Sequence, residues 1–164
     1  MFALLFFLLV SLTEEAPEIR DKFYTQSFNP GSSVSLKCTS TGSPTPQIHW
    51  YHYARHLKSD DDYNNKIRIG QYEDNNGLIV SYLNISDLTV RDGGLYTCQA
   101  FNDVSKVQHS ASILVYGSPY VHDIHNITIA SGGKVDIDCP YSGYPIDTVI
   151  WSKGKSRNKI TFNQ

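Results

Sequence analysis

Apolar and polar residues alternate in two short stretches of the chain, "VSLKC" (Val34–Cys38) and "VDIDC" (Val135–Cys139). Alternation with a period of two puts Val, Leu or Ile, and Cys on one face of a strand, and Ser, Lys or Asp on the other. A Gly-x-Pro pair follows each stretch as a turn signal, and a second strand then carries a tryptophan inward, Trp50 or Trp151. Further strands are predicted over Arg68–Gln71 and Leu78–Ile85, joined at Asn76-Gly77, a dipeptide suited to a tight hairpin turn. Val107–Tyr116 reads as a last strand. Turn signals recur every eight to twelve residues or so and no helical periodicity occurs, a pattern that predicts an all-β sandwich.

The two stretches belong to a longer repeat. Gly31–Trp50 aligns without a gap on Gly132–Trp151, matching Cys38 with Cys139, Gly42 with Gly143, Pro44 with Pro145 and Trp50 with Trp151. The chain therefore divides into an N-terminal stretch (1–15), a first sandwich (16–116) and the N-terminal half of a second (117–164). On this reading Cys139 is unpaired because its partner lies past Gln164, and Trp151 is a core residue of the second unit. Only Tyr116-Gly117-Ser118-Pro119 links the two, which predicts a restricted angle with modest bending at Gly117.

"RDGGLYTC" (Arg91–Cys98) raises a separate question: a strand entering a sandwich, or a catalytic or metal-binding cysteine. Asp92 sits at a corner, Gly94 permits a tight backbone path, and Tyr96 stands two residues before Cys98. With Cys38 and Trp50 these residues resemble the immunoglobulin pattern of a tyrosine corner and an inter-sheet disulfide packed on a tryptophan. The resemblance implies a Cys38–Cys98 bridge and a core containing Trp50, Leu88 and Tyr96. A buried Asp92 calls for a cation, and Arg68 is the expected partner.

A narrower likeness rests on "PGSSVSLKCTSTGSPTPQIHW", "RIGQY", "YLNISDLTVRDGGLYTC" and "LVYGSPYV" followed by "CPYSGYPIDTVIW". These segments resemble two adjacent immunoglobulin domains of the Down syndrome cell adhesion molecule (Dscam) family, invertebrate type, over Ala16 to Lys153. The resemblance implies I-set modules of a long extracellular ectodomain at the plasma membrane. It also implies homophilic adhesion, with neuronal self-recognition and axon guidance, and partners that are another copy of the chain or a related cell-surface immunoglobulin protein. Fibronectin-type domains, a membrane anchor and a cytoplasmic tail are expected only outside this segment. The alternative is a secreted immune-type pattern-binding protein.

Other residues offer less. Asn84-Ile85-Ser86 and Asn126-Ile127-Thr128 fit the N-glycosylation pattern, each at an outward position of a predicted strand. His49, His52 and His56 lie near Asp60, Asp61 and Asp62, but residues three apart on a strand face opposite ways, so His49 and His52 diverge and no metal site is expected. Tyr51, Tyr53, Tyr63, Tyr72 and Tyr82 are candidates for a contact surface, against the plainer reading of core and rim aromatics. No phosphate loop, G-x-S-x-G or H-E-x-x-H motif occurs, so neither enzyme nor cofactor is expected.

Composition changes this picture little. With 164 residues and a net charge of -2 at pH 7, there is no basic footprint for nucleic acid. The apolar run "MFALLFFLLVSL" is too short to span a bilayer and fits the h-region of a secretory signal, the other readings being a buried strand or a non-native start.

Overall fold

The computed structural model describes residues 14–59, 66–124, 126–153 and 156–163. The strands of the first unit are β1 (Glu15–Ile19), β2 (Gln26–Phe28), β3 (Val34–Ser43), β4 (Gln47–His52), β5 (Arg55–Leu57), β6 (Ile67–Glu73), β7 (Ile79–Ile85), β8 (Gly94–Phe101) and β9 (Lys106–Val115). They form two sheets, a four-stranded one in the order β1-β3-β7-β6 and a five-stranded one in the order β2-β9-β8-β4-β5. All pairings are antiparallel except β2 with β9, which is parallel. This is the expected all-β sandwich. β1 begins at Glu15, and the apolar run up to residue 13 lies outside the described residues.

The period-two reading of β3 holds residue by residue. Val34, Leu36 and Cys38 are buried while Ser35 and Lys37 are exposed. Antiparallel pairing with β7 sets Leu36 opposite Leu83 and Cys38 opposite Ser81, which builds one wall of the core. In the facing sheet β4 and β8 set Trp50 opposite Cys98. Cys38 and Cys98 are joined across the two sheets with a Cα separation of 6.5 Å, inside the range that disulfides span without backbone distortion. Closing a 60-residue loop stabilises the fold by about 4 kcal/mol in the chain-entropy account.

Trp50 is 1% exposed, and its indole Nε1–H donates to Ser81 Oγ at 2.9 Å. Ser81 Oγ in turn donates to the Gly70 carbonyl at 3.3 Å. A tryptophan of one sheet is thus hydrogen-bonded to the other, beside the disulfide, and its one polar atom is satisfied in the core. Phe23 packs on the same ring with centroids 5.4 Å apart. Leu88 is fully buried, and its backbone ties the β2–β3 loop through Leu88 N–H to the Ser32 carbonyl (2.8 Å) and Gly31 N–H to the Leu88 carbonyl (2.7 Å).

The Asn76-Gly77 hairpin forms, but as a five-residue loop between Glu73 and Ile79. Asp74 organises it by accepting the N–H groups of Asn76 (2.8 Å) and Leu78 (2.9 Å). Those two backbone bonds hold its carboxyl below the ordinary carboxylate range.

After Tyr116 the chain enters β10 (Gly117–Val121), which pairs with β11 (Tyr141–Tyr144). β12 (Thr148–Lys153) pairs with β13 (Ser156–Asn163). The repeat is visible in the pairing: β1 meets the end of β3 at Thr41 and Ser43, and β10 meets β11 at the matching Ser142 and Tyr144. Three expectations fail in this second unit. Val135–Cys139 is not a strand, Asn126 lies in an irregular segment, and Trp151 is only half-buried. The physical reason is shared. β3 is held by β7, and Trp50 is enclosed by β7 and β8, whereas among the described residues no strand pairs with Val135–Cys139. Without a ladder partner an extended segment has nowhere to place its backbone hydrogen bonds. Val135 and Ile137 are accordingly 41% and 46% exposed, where their matches Val34 and Leu36 are 7% and 0%.

Candidate functional site at the inter-module joint

The stretch around Asp92 is a tyrosine corner. Val90–Asp92 forms a 3₁₀ turn, and the Asp92 carboxylate accepts from both the backbone N–H and the hydroxyl of Thr89, each at 2.6 Å. Tyr96 is 2% exposed, and its hydroxyl donates to the Asp92 carbonyl at 2.6 Å. The cation on Asp92 is Lys66, not Arg68: Lys66 Nζ lies 2.5 Å from Asp92 Oδ2, with both side chains 21% exposed. Arg68 is exposed on the outer face of β6, opposite Asn84. Lys66 precedes β6 at the sheet end nearest the corner, where its carbonyl accepts from Ser86 N–H. A shorter path from that end to the corner decides the partner.

The joint between the units is built on the same corner. Gly117 has φ +148°, and a Cβ there would run into the Val90 side chain, so the expected bending point is packed against the 3₁₀ turn. The Arg91 guanidinium sits 4.7 Å above the Tyr120 ring, a cation–π contact from the first unit to the second. Tyr53 donates its hydroxyl to the Tyr141 carbonyl. Gly94 (φ +126°) makes room for Tyr53, because a Cβ there would meet the Tyr53 ring. The second glycine of "RDGGLYTC" is therefore a seat for the joint as well as a backbone bend.

Two histidines close the contact. His52 stacks on Tyr96 with centroids 4.5 Å apart and planes at 16°, and its Nε2–H donates to the Gly93 carbonyl at 3.0 Å. His122 comes from the second unit and stands edge-on to His52 at 5.5 Å, with Tyr53 at 5.4 Å and Tyr120 at 5.0 Å. His122 Nε2 is 3.1 Å from Ser142 Oγ. Burial lowers the His52 pKa to about 4 and also lowers that of His122. Burial raises the Tyr53 hydroxyl to about 12. All three rings are therefore neutral at pH 7, and the joint is a stack of neutral aromatic groups fixed by hydrogen bonds.

The remaining candidates scatter. His49 and His52 do diverge, as strand geometry requires: His49 lies outward, its ring 4.6 Å from both His56 and Phe101. Among the described residues no group of three or more His, Cys, Asp or Glu could hold a metal. Asp60, Asp61, Asp62 and Tyr63 lie outside the described residues. The other tyrosines do not form one surface. Tyr51 is on the outer face of the five-stranded sheet, Tyr53 is in the joint, and Tyr72 and Tyr82 share the outer face of the four-stranded sheet. Asn84 and Asn126 are both exposed. Cys139 is half-buried and carries no disulfide. Phe23, Ser81, Lys66 and His122 escaped the sequence reading. Only the gap-free repeat, which fixes where the second unit starts, pointed toward His122.

A family model for "Immunoglobulin domain" matches residues 16–102. The chain belongs to the immunoglobulin-domain family. Within it the chain is similar to the cell adhesion molecules Dscam1 and Dscam2 of Drosophila melanogaster. It is 40% identical to each, over 139 residues (85% of this chain) and 145 residues (88%) respectively. It spans 7% of the length of either relative. A crystal structure of the N-terminal eight immunoglobulin domains of Down syndrome cell adhesion molecule, isoform 1.30.30, superposes with a TM-score of 0.78 at 39% identity. That match covers 85% of this chain and 18% of the other.

Two variants separate the candidate cations. Lys66→Ala is expected to cost about 1–3 kcal/mol, because it strips a charged hydrogen bond from a half-buried carboxylate, while Arg68→Ala stays within about 0.5 kcal/mol. Urea denaturation measures both, and equal losses would remove Lys66 from the corner.

His52 gives a pH test. Its folded pKa lies below the unfolded value of about 6.5, so its contribution is complete above that pH and is lost as pH falls toward about 4, by up to about 3 kcal/mol. His52→Gln retains an N–H donor for Gly93 but does not titrate. Between pH 7 and pH 4.5 the wild type is expected to lose about 2 kcal/mol more than His52→Gln. Parallel acid slopes would place His52 in contact with solvent.

Proposed function

We propose that the chain is an extracellular, cell-surface recognition and adhesion module that binds another copy of itself or a related immunoglobulin protein. Homophilic cell–cell adhesion is its role, of the kind used in neuronal self-recognition and axon guidance. The observation that carries this reading is the extent of the likeness to Dscam1 and Dscam2: 139 and 145 residues exceed the first sandwich, so the similarity crosses the joint into the second unit. This chain thus matches adhesion molecules over more than its first module.

The chemistry of these residues supports binding over catalysis. Cys38 and Cys98 are bridged and have no thiolate to offer, and the joint histidines are packed among aromatic rings. A net charge of -2 gives no attraction for nucleic acid. Weak contact per module, raised by many copies on a surface, suits such a design. The exposed Asn84 and Asn126 side chains fit N-glycosylation in an extracellular setting. The secreted immune alternative has no observation in its favour beyond the apolar start, and the relatives are named as cell adhesion molecules.

Beads coated with the native ectodomain that carries these two modules are expected to cluster with one another. Dispersed beads, under conditions in which a Dscam ectodomain clusters, would remove homophily from the reading. Glycosylation has its own readout. Secreted from animal cells, the chain is expected to lose mass on peptide-N-glycosidase treatment, with separate losses abolished by Asn84→Gln and Asn126→Gln. No mass change would set both sites aside.

A further inference from the structure

We propose, resting on the N-glycosylation reading above, that the outer face of the four-stranded sheet holds a seat for the glycan of Asn84, with Arg68 as the residue that grips the sugar. Asn84 lines a cleft on this face together with Ser33, Ser35, Ser86, Lys66 and Arg68. The cleft is open to solvent and has a volume of about 460 Å³, within the range of sites that hold small ligands. Covalent attachment selects its occupant. A sugar borne by Asn84 starts inside the cleft, at an effective concentration that a free ligand does not reach.

Strand pairing shapes the seat. The antiparallel register sets Asn84 directly between Ser35 of β3 and Arg68 of β6. Opposed residues have Cβ atoms about 4.5–5.5 Å apart, so a side chain of arginine length runs beside the first sugar. On the other side Ser35 is short, and so are Ser33 and Ser86. The serines keep the floor low and supply hydroxyls that both donate and accept, as the hydroxyl and acetamido groups of an N-acetylhexosamine require. Ser86 Oγ donates to the Lys66 carbonyl at 3.3 Å and keeps its acceptor side.

Charge singles out Arg68. Lys66 is drawn to Asp92 at 2.5 Å, and Lys37, the next outward residue of β3, to Asp21 at 2.9 Å. Arg68 is exposed, and among the described residues no carboxylate pairs with it. Its guanidinium presents five N–H donors in a flat fork and is more weakly hydrated than an ammonium, which suits it to the acetamide carbonyl and hydroxyl oxygens of a neutral sugar. Asn126 is the contrast, exposed in an irregular segment with no cross-strand neighbour among the described residues. A seated glycan would cover the face around Asn84 and close it to protein contact.

The test uses the full chain secreted from animal cells in two forms, Asn126→Gln and Asn84→Gln, each keeping one glycan. Native release by peptide-N-glycosidase, followed by mass, is expected to be about tenfold slower at Asn84 than at Asn126, because only the unseated fraction is cleaved. Arg68→Ala is expected to speed release at Asn84 about fivefold, and Arg68→Lys about twofold, since an ammonium keeps the charge and loses the fork. Removing the Asn84 glycan is expected to lower the melting temperature by about 3 °C with Arg68 present and by less than about 1 °C with Arg68→Ala. In the chain without sugar Arg68→Ala leaves stability almost unchanged, so a loss seen only with the glycan reports the seat. Release rates and melting shifts that ignore Arg68 would overturn the seat and leave glycosylation intact. No mass loss from the denatured Asn126→Gln form would overturn the seat together with the Asn84 site.

Discussion

One cross-sheet junction holds the first unit together: the Cys38–Cys98 bridge with Trp50 beside it and Ser81 accepting the indole proton. Each of the two sheets is apolar on one face only and needs the other to cover it. The bridge ties β3 to β8, and the Trp50–Ser81 bond ties β4 to β7 a short distance away. Register follows from both. A slip of one residue in β3 or β4 would carry Cys38 or Trp50 to the outer face and leave the partner stranded. Phe23, Leu36, Leu83 and Ile113 fill the space around that junction.

From this core outward, the tyrosine corner passes order to the joint. Asp92 is held by Thr89 and Lys66, Tyr96 is anchored to the Asp92 carbonyl, and His52 stacks on Tyr96. His52 then meets His122 of the second unit, while Arg91 of the 3₁₀ turn covers Tyr120. A corner that in a single module only fixes the entry of a strand here also sets the direction of the next module. The neutral imidazoles are a condition of this packing, because two imidazolium rings 5.5 Å apart in a poorly solvated contact would repel each other.

The two faces of the sandwich differ in chemistry as well as position. One is charged and carries Asn84; the other is neutral, with a packed patch of histidine, tyrosine and phenylalanine. Neither asymmetry is needed for folding, since outward residues of a sheet contribute little to its core. The second unit meets only one end of the neutral face.

Local patterning determined much of this protein without any coordinates. Alternation in "VSLKC", the Asn76-Gly77 turn, the gap-free repeat and the spacing of Cys38, Trp50, Tyr96 and Cys98 are enough for a β-sandwich followed by a second unit of the same kind. These features are legible because a strand's period and a turn's dihedral demands act on neighbours in the chain. Tertiary structure decided the rest. Lys66 and Arg68 are both cations two residues apart, and only the position of the β6 end relative to the corner selects Lys66. Ser81, Phe23 and His122 are ordinary residues until folding brings them to Trp50 and His52. Val135–Cys139 has the same alternation as β3 yet is no strand, because alternation states a preference and a ladder needs a partner.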